Sequence, residues 1–451
     1  MQFNSINPFD GKQVGSYVAL TNEELDARLE KSANVFKSWR KVAMAKRSEL
    51  MLAAGKVLKD NVEQYAKMIS LEMGKPIGES RAEINKCAWV CDYYAENAAD
   101  FLQDEIIASD ASKSFVRHDA IGSVLAIMPW NFPFWQVFRF AAPTLMAGNV
   151  GLLKHAPNVF GCAVLIEDVF TKAGFPDGVF QNLIVHHDRT EQIIAHDTVK
   201  AITLTGSERA GSTVAQLAGK YIKKSLLELG GNNAFIVWKD ADIDATVKTA
   251  ITARMLNCGQ SCIAAKRFIL VEEIYAEFVE KYIAALQKLK PGNPLEETTQ
   301  VGPMARKDLA DQLQEQVKNS IAQGAELLYG GNQNNCYHEP TVLGNVDESM
   351  VVFNEETFGP VAAMIKAKNV EHAFELAENS KFGLGATVCT TDIDKALSMI
   401  GEVSDGAFFV NELVKSDARL PFGGTKTSGY GRELGKDGIL EFVNRKTVYV
   451  K

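Results

Sequence analysis

Two segments of this 451-residue chain carry residue types suited to nucleophilic chemistry. In Asn257-Cys258-Gly259-Gln260-Ser261-Cys262 a thiol follows a glycine-containing turn, where Cys262 could attack an electrophile as a thiolate. No histidine is close to it in sequence, and an inert buried thiol is the plain alternative. Leu226-Leu227-Glu228-Leu229-Gly230-Gly231 places a carboxylate in an apolar run ending in two glycines. Desolvation raises a carboxylate's pKa in such a setting, towards the range of a general base near neutrality. Upstream, Pro129 and Pro133 bracket Trp130-Asn131-Phe132 directly after an apolar run. That arrangement either aims the Asn131 amide at a developing oxyanion or forms no more than a rigid turn.

Two further features suit a bound anion or nucleotide. Ala201–Thr205 runs into Gly206-Ser207-Glu208-Arg209-Ala210-Gly211 and then a helix-like Ser212–Lys220. Free backbone N–H groups at such a helix start make a phosphate site, although a plain strand-to-helix turn would read the same way. Lys154 ends the apolar run Leu152-Leu153, at the strand end where open α/β sheets bind ligands. No P-loop or dinucleotide glycine fingerprint occurs. Near the C-terminus, Glu355–Pro360 and the glycine-rich Leu420–Glu433 have too little bulk for core elements and read as closely packed loops.

The elements that must position these residues follow from periodicity. Leu25, Leu29, Ala33 and Phe36 recur at helical spacing behind an N-cap candidate, Thr21, and helical runs continue over about 44–70 and 83–101. Cys87 and Cys91, one turn apart, read as core packing. From about residue 121, β-branched runs alternate with helical stretches: Ser123–Met128, Val150–Leu153, Val179–Val185, Ala201–Thr205 and Asn233–Val237. A second series covers Phe268–Val271, Val361–Ile365, Gly385–Thr390 and Ala407–Val410. This is the pattern of βα units, and it predicts two α/β domains with parallel-sheet cores, parting near 240 around a cleft.

Composition bounds the function. Hydrophobic residues make up 46% and charged residues 23%, which excludes disordered, collagen-like and disulfide-scaffold chains. With 48 Lys and Arg against 56 Asp and Glu, the net charge of −8 and the lack of a basic block argue against nucleic acid as a partner. Seven cysteines cannot all pair and suggest a reducing compartment. The N-terminus has no basic and apolar leader pattern, and no apolar run reaches the ~18 residues that span a bilayer. The expectation is a cytoplasmic protein with no membrane partner.

Taken in order, Pro129–Pro133, Leu204–Ser207, Glu228–Gly231, Gly259–Cys262, Glu356–Pro360 and the Pro421–Gly429 glycine loop resemble the NAD(P)-dependent aldehyde dehydrogenase superfamily over about residues 5–449. Within it, Asn131–Arg139 and Ser416–Pro421 resemble the short, bacterial-type succinate-semialdehyde dehydrogenases. The resemblance implies that Cys262 attacks an aldehyde to form a thiohemiacetal. Asn131 and the Cys262 N–H would hold the oxyanion, hydride would pass to the nicotinamide, and Glu228 would activate water to release the acid. It also implies that Met128, Pro129, Trp130, Lys154, Gly206, Ser207, Gly211, Leu229, Glu356 and Phe358 bind the cofactor. Lys154 would sit at the adenosine ribose, Glu356 at the nicotinamide ribose, and Phe358 beside the ring. The family often has a glutamate three residues after that lysine; here the run is Lys154-His155-Ala156-Pro157, so NADP is expected to serve as well as NAD. No metal is implied.

For the substrate, Arg139 stands eight residues after Asn131, matching an arginine that grips the carboxylate in semialdehyde enzymes; a structural ion pair is the other reading. The family's second arginine is Leu256 here, and Arg254 or Arg419 could replace it. Gln136 and Ser261 would also face the pocket. The expected reaction is oxidation of succinic semialdehyde or a similar small ω-carboxylated aldehyde. The alternatives are an uncharged or hydroxylated aldehyde such as lactaldehyde and, more remotely, a non-catalytic binding protein of the same fold. A CoA-acylating variant is disfavoured by the presence of Glu228. The implied architecture is a cofactor domain (1–105 and 121–232), a catalytic domain (233–418) and a β oligomerisation arm (106–120 and 436–451). Such an arm exposes strand edges that a homodimer or homotetramer would cover.

Overall fold

A computed structural model describes all 451 residues. Thr21 does cap the first helix, Asn22–Trp39: its hydroxyl accepts the Glu24 N–H while the Glu24 carboxylate accepts the Thr21 N–H. Leu25 and Leu29 on its inner face pack against the sheet residues Leu125 and Leu152. The periodic run that follows forms two helices, Met44–Asp60 and Val62–Met73, which break at Asn61. A long helix, Ile77–Phe101, completes the layer, with Cys87 and Cys91 fully buried in the core.

These helices cover a six-stranded sheet. Its order is Gly429–Tyr430, Lys224–Glu228, Val199–Thr205, Ser123–Met128, Val150–His155 and Phe180–Asn182, parallel except for the first. The chain moves outward from Ser123–Met128 through Val150–His155 to Phe180–Asn182, then crosses back to place Val199–Thr205 on the other side. That reversal opens a crevice at the carboxyl ends of Ser123–Met128 and Val199–Thr205, where open α/β sheets bind ligands.

A second sheet of seven strands takes over after Glu228. Asn233–Val237 lies between Ala265–Val271 and Ala386–Cys389; Val361–Ala367 and Thr341–Gly344 extend one side and Phe408–Val410 the other, all parallel. Glu326–Tyr329 closes the far edge antiparallel. The β-branched runs fall where expected because both faces of each parallel sheet are buried, so these strands are apolar throughout rather than alternating.

Three features depart from the sequence reading. The N-terminal hairpin Gln2–Ile6 with Gln13–Val18 was not signalled, since its Gln, Asn, Ser and Gly residues mask the strand pattern. It is anchored instead by Phe3, whose ring meets Phe160 edge-on at 5.1 Å. Second, the chain returns to the first sheet near its end: Gly429–Tyr430 pairs with strand Lys224–Glu228. Gly429 adopts φ +119, and a Cβ there would press into the Leu227 carbonyl, so a side chain is excluded. Third, the expected arm over 436–451 begins too early. The short helix Gly435–Leu440 buries Ile439 in the first core, and only Val443–Val450 joins Lys113–Ala120 and Glu105–Ile106 in a three-stranded antiparallel sheet.

Candidate active site

Helix Ile243–Met255 delivers the chain to a tight turn, Leu256–Gly259, in which Asn257 (φ 55) and Cys258 (φ 53) are both left-handed. Asparagine tolerates that region but cysteine does not favour it, so the surroundings must hold the turn. The Asn257 N–H donates to Glu79 (2.7 Å), and its side-chain amide donates to the carbonyls of Asn131 (2.7 Å) and Gln260 (3.0 Å). Arg254, fully buried, donates to the Gly259 carbonyl at 2.5 Å. Arg254 thus braces the turn that leads to Cys262, and its guanidinium is committed there rather than offered to a substrate. Cys262 follows, just before strand Ala265–Val271.

The Asn131 amide donates to the Gln260 carbonyl at 3.0 Å, which brings the Pro129–Pro133 turn against the thiol's own segment. Its second N–H is uncommitted, and the Cys262 backbone N–H donates to no group of the chain, so both are free for an oxyanion. His155 stiffens the same turn. Burial pulls its pKa down to about 4, and the neutral ring hydrogen-bonds the Pro133 carbonyl at 2.9 Å. Glu83, from the helical layer, accepts the N–H groups of Phe134 (2.9 Å) and Trp135 (3.0 Å) at the start of helix Trp135–Met146 and pairs with buried Lys75.

Burial pushes the Cys262 thiol up to about 11, against the opposing charges of Lys266 and Arg139. Lys266, without solvent exposure, donates to the carbonyls of Ser261 (2.9 Å) and Cys262 (2.8 Å) and pairs with Glu356 at 3.0 Å. Glu228 is 1% exposed, and neither of its oxygens has a hydrogen-bond partner. Burial, reinforced by the nearby Glu433, raises its pKa well above the carboxylate range, with Arg139 and Arg432 opposing. A carboxylate whose pKa is raised in this way is a stronger base toward water than an exposed one.

Two cavities meet at Cys262. The larger, about 420 Å³, is lined by Pro129, Trp130, Asn131, Gly206, Ser207, Leu229, Glu356 and Phe358. The smaller, about 190 Å³, has mainly apolar walls that also carry Arg139, Lys86, Lys415, Glu79, Ser261 and Ser416; Gln136 and Cys262 face both. The larger fits a dinucleotide. Helix Glu208–Lys220 presents its amino end beside Gly206, the Ser207 hydroxyl accepting the Ala210 N–H (3.3 Å), and this suits a pyrophosphate. Trp130 and Phe358, edge to face at 5.7 Å, form an aromatic wall, and Glu356 offers a carboxylate to ribose hydroxyls.

Three residues expected at the cofactor stand outside this cavity. Met128 and Lys154 pair across to His155 and Ile127 on adjacent strands, and Gly211 lies within the helix, where a Cβ would meet Leu229 Cδ1 at 2.5 Å. Gly211 therefore lets Leu229 line the cleft rather than touching its contents. On the substrate side, Arg139 lines the smaller cavity but is already engaged. It pairs with buried Glu433, donates to the Thr205 hydroxyl at 3.3 Å and lies 4.8 Å from the Phe422 ring centre. Arg419 does not reach the cavity at all: 68% exposed, it holds Asp417 through two N–H groups and lies over Trp89. The sequence reading missed Lys266, Glu433, Glu79 and Lys86. Only Lys266, four residues after Cys262, carried a local signal.

Comparison with known proteins agrees with this geometry. The aldehyde dehydrogenase family profile matches residues 1–448. A probable succinate-semialdehyde dehydrogenase (NADP(+)) of Synechocystis sp. is 46% identical over the full length of both chains. The succinate semialdehyde dehydrogenase (NAD(P)+) Sad of Escherichia coli is 46% identical over 99% of this chain and 97% of its own. Among solved structures, a succinic semialdehyde dehydrogenase from Streptococcus pyogenes in complex with NADP+ superposes with a TM-score of 0.97 at 33% identity, covering 99% of each chain. The chain belongs to the aldehyde dehydrogenase family.

Proposed function

We propose that this protein oxidises succinic semialdehyde, or a similarly short ω-carboxylated aldehyde, to the carboxylic acid with NADP or NAD. The observation that carries the reading is the position of Cys262, shared by a dinucleotide-sized cleft and a smaller, mainly apolar pocket. In this reading the Cys262 sulfur adds to the aldehyde carbon while the Asn131 amide and the Cys262 N–H bind the oxygen that becomes negative. Gly206 and Ser207 would hold the pyrophosphate, Glu356 the nicotinamide ribose, and Trp130 and Phe358 would flank the ring. A bound NAD(P)+ supplies the hydride acceptor. The acyl group left on Cys262 is a thioester, and Glu228 takes a proton from water as the water oxygen attacks it, returning the thiol and the acid. The lack of a carboxylate three residues after Lys154 leaves no local charge to repel a 2′-phosphate, and the relatives' names carry both cofactors.

The pairing of Arg139 with Glu433 favours one second reading, a short uncharged or hydroxylated aldehyde such as lactaldehyde. Initial rates across succinic semialdehyde, butanal and lactaldehyde, each with NAD and NADP, decide between them. A kcat/KM for succinic semialdehyde no higher than that for butanal would remove the first reading. We further propose a cytoplasmic homodimer or homotetramer. Ile106, Ile107, Tyr449 and Val450 are exposed on or beside the three-stranded arm, and Val443–Val450 leaves one edge unpaired. No helix is long and apolar enough to cross a membrane.

A further inference from the structure

The smaller cavity contains three cations, Lys86, Arg139 and Lys415. Arg139 is paired with Glu433, and Lys415 with Glu412 at 2.8 Å. Lys86 alone has no acidic partner. The nearby carboxylates are spent elsewhere: Glu83 on Lys75 and two backbone N–H groups, Asp417 on Arg419. Glu79, which also lines the cavity, accepts the Asn257 N–H, and burial raises it to about 7.

We propose that Lys86, on helix Ile77–Phe101, is the cation that receives the carboxylate of the aldehyde substrate, with the Ser416 hydroxyl beside it. The Lys86 ammonium donates to Ser416 Oγ at 2.8 Å and lies 4.2 Å from the Trp135 ring centre. Trp135 Nε1 donates to the same Oγ at 3.1 Å. Because Ser416 Oγ already accepts two hydrogen bonds, its own proton is free to donate. Lys86 keeps two uncommitted N–H bonds. An anion arriving here meets an ammonium and a hydroxyl together, at a place where the nearest carboxylates, Glu83 and Asp417, are already engaged by other cations. Burial, and then the charge of Arg139, pull the Lys86 pKa down to about 8, so a carboxylate would relieve an existing penalty rather than displace a partner. Between this group and Cys262 the walls include Phe132, Leu256, Ile263 and Phe422, which suits a short aliphatic spacer with the aldehyde at one end and the anion at the other.

This assignment rests on the proposed oxidation of a carboxylated aldehyde, so its test has one arm that needs no turnover. In the first arm, Lys86→Met and Lys86→Arg are compared with wild type on succinic semialdehyde and butanal. Lys86→Met is expected to lower the ratio of the two kcat/KM values by about thirtyfold, mainly through KM for the anionic substrate, with partial rescue in Lys86→Arg. An unchanged ratio overturns the assignment, including the case in which both substrates lose equally. In the second arm, alkylation of Cys262 by iodoacetamide is followed with increasing succinate. Protection in wild type that is weakened at least tenfold in Lys86→Met supports the site even if the physiological aldehyde is another anion. Equal protection in both proteins, or none in either, overturns it. Wild type preferring butanal while succinate still protects through Lys86 would instead overturn the proposed function alone.

Discussion

Replacing Arg139 by methionine separates a structural from a substrate-binding arginine. Arg139 is 2% exposed and Glu433 4%, and the two form a buried ion pair beside Glu228. Removing the guanidinium strands a carboxylate in the interior, which typically costs ~3–5 kcal/mol, with a further ~1 kcal/mol from the lost contact over Phe422. Glu433 can escape by taking a proton, but it then loses its partner all the same. Arg139→Met should therefore lower the free energy of unfolding by about 4–6 kcal/mol, read from urea midpoints by tryptophan fluorescence. Adding Glu433→Gln removes the stranded charge, so the double variant should recover about 2 kcal/mol or more, a strongly non-additive cycle. In activity assays the single variant should lose rate on succinic semialdehyde and butanal alike, because its charge acts on Cys262 and Glu228 rather than on the substrate. An Arg139→Met protein as stable as wild type, with KM raised for succinic semialdehyde alone, would refute this reasoning.

Two other outcomes follow from the buried ionisable groups. Glu228→Gln should abolish steady-state turnover while leaving one burst of nicotinamide reduction. Because the folded-state pKa of Glu228 lies above the ordinary 4.5, its ionisation opposes folding as pH rises. The variant's stability relative to wild type should thus grow between pH 4.5 and the folded-state pKa, by up to about 1.4 kcal/mol per pH unit; a difference constant over that span would contradict the burial argument. For Cys262, held near pKa 11, iodoacetamide alkylation of the cofactor-free protein should accelerate roughly tenfold per pH unit from 7 to 10, and Lys266→Met should slow it further. A plateau above pH 8 would show a thiolate already formed.

Legibility in the sequence divided along physical lines. The strands that carry Lys154 and Glu228, and those flanking Asn131 and Cys262, could be read because each is an apolar run punctuated by glycine, proline or asparagine, and motif order then tied them to a family. What escaped was every contact between distant segments. The ion-pair reading of Arg139 lacked a partner because Glu433 is remote in sequence, and nothing local distinguishes Lys86 from other helical lysines. Its isolation from acids is a property of the packed cavity, since Glu83 and Asp417 lie near but are engaged by other cations. Arg254 and Arg419 were plausible from residue type, yet a buried carbonyl claims the first and a surface aspartate the second. The arm boundary slipped because a six-residue helix, Gly435–Leu440, has too few turns to display a period.

The pairing of Gly429–Tyr430 with the Glu228 strand also bears on how the molecule is made. On the ribosome, the strand that bears Glu228 is made near mid-chain but keeps an open edge until its last neighbour is translated, about 200 residues later. At roughly 5–20 residues per second, that is a wait of about 10–40 seconds. During it the thiol segment is synthesised and can fold, while Glu228 still lacks the strand that encloses it. A chain cut short before Gly429 would hold the Cys262 segment but leave the Glu228 strand without the neighbour that closes its edge.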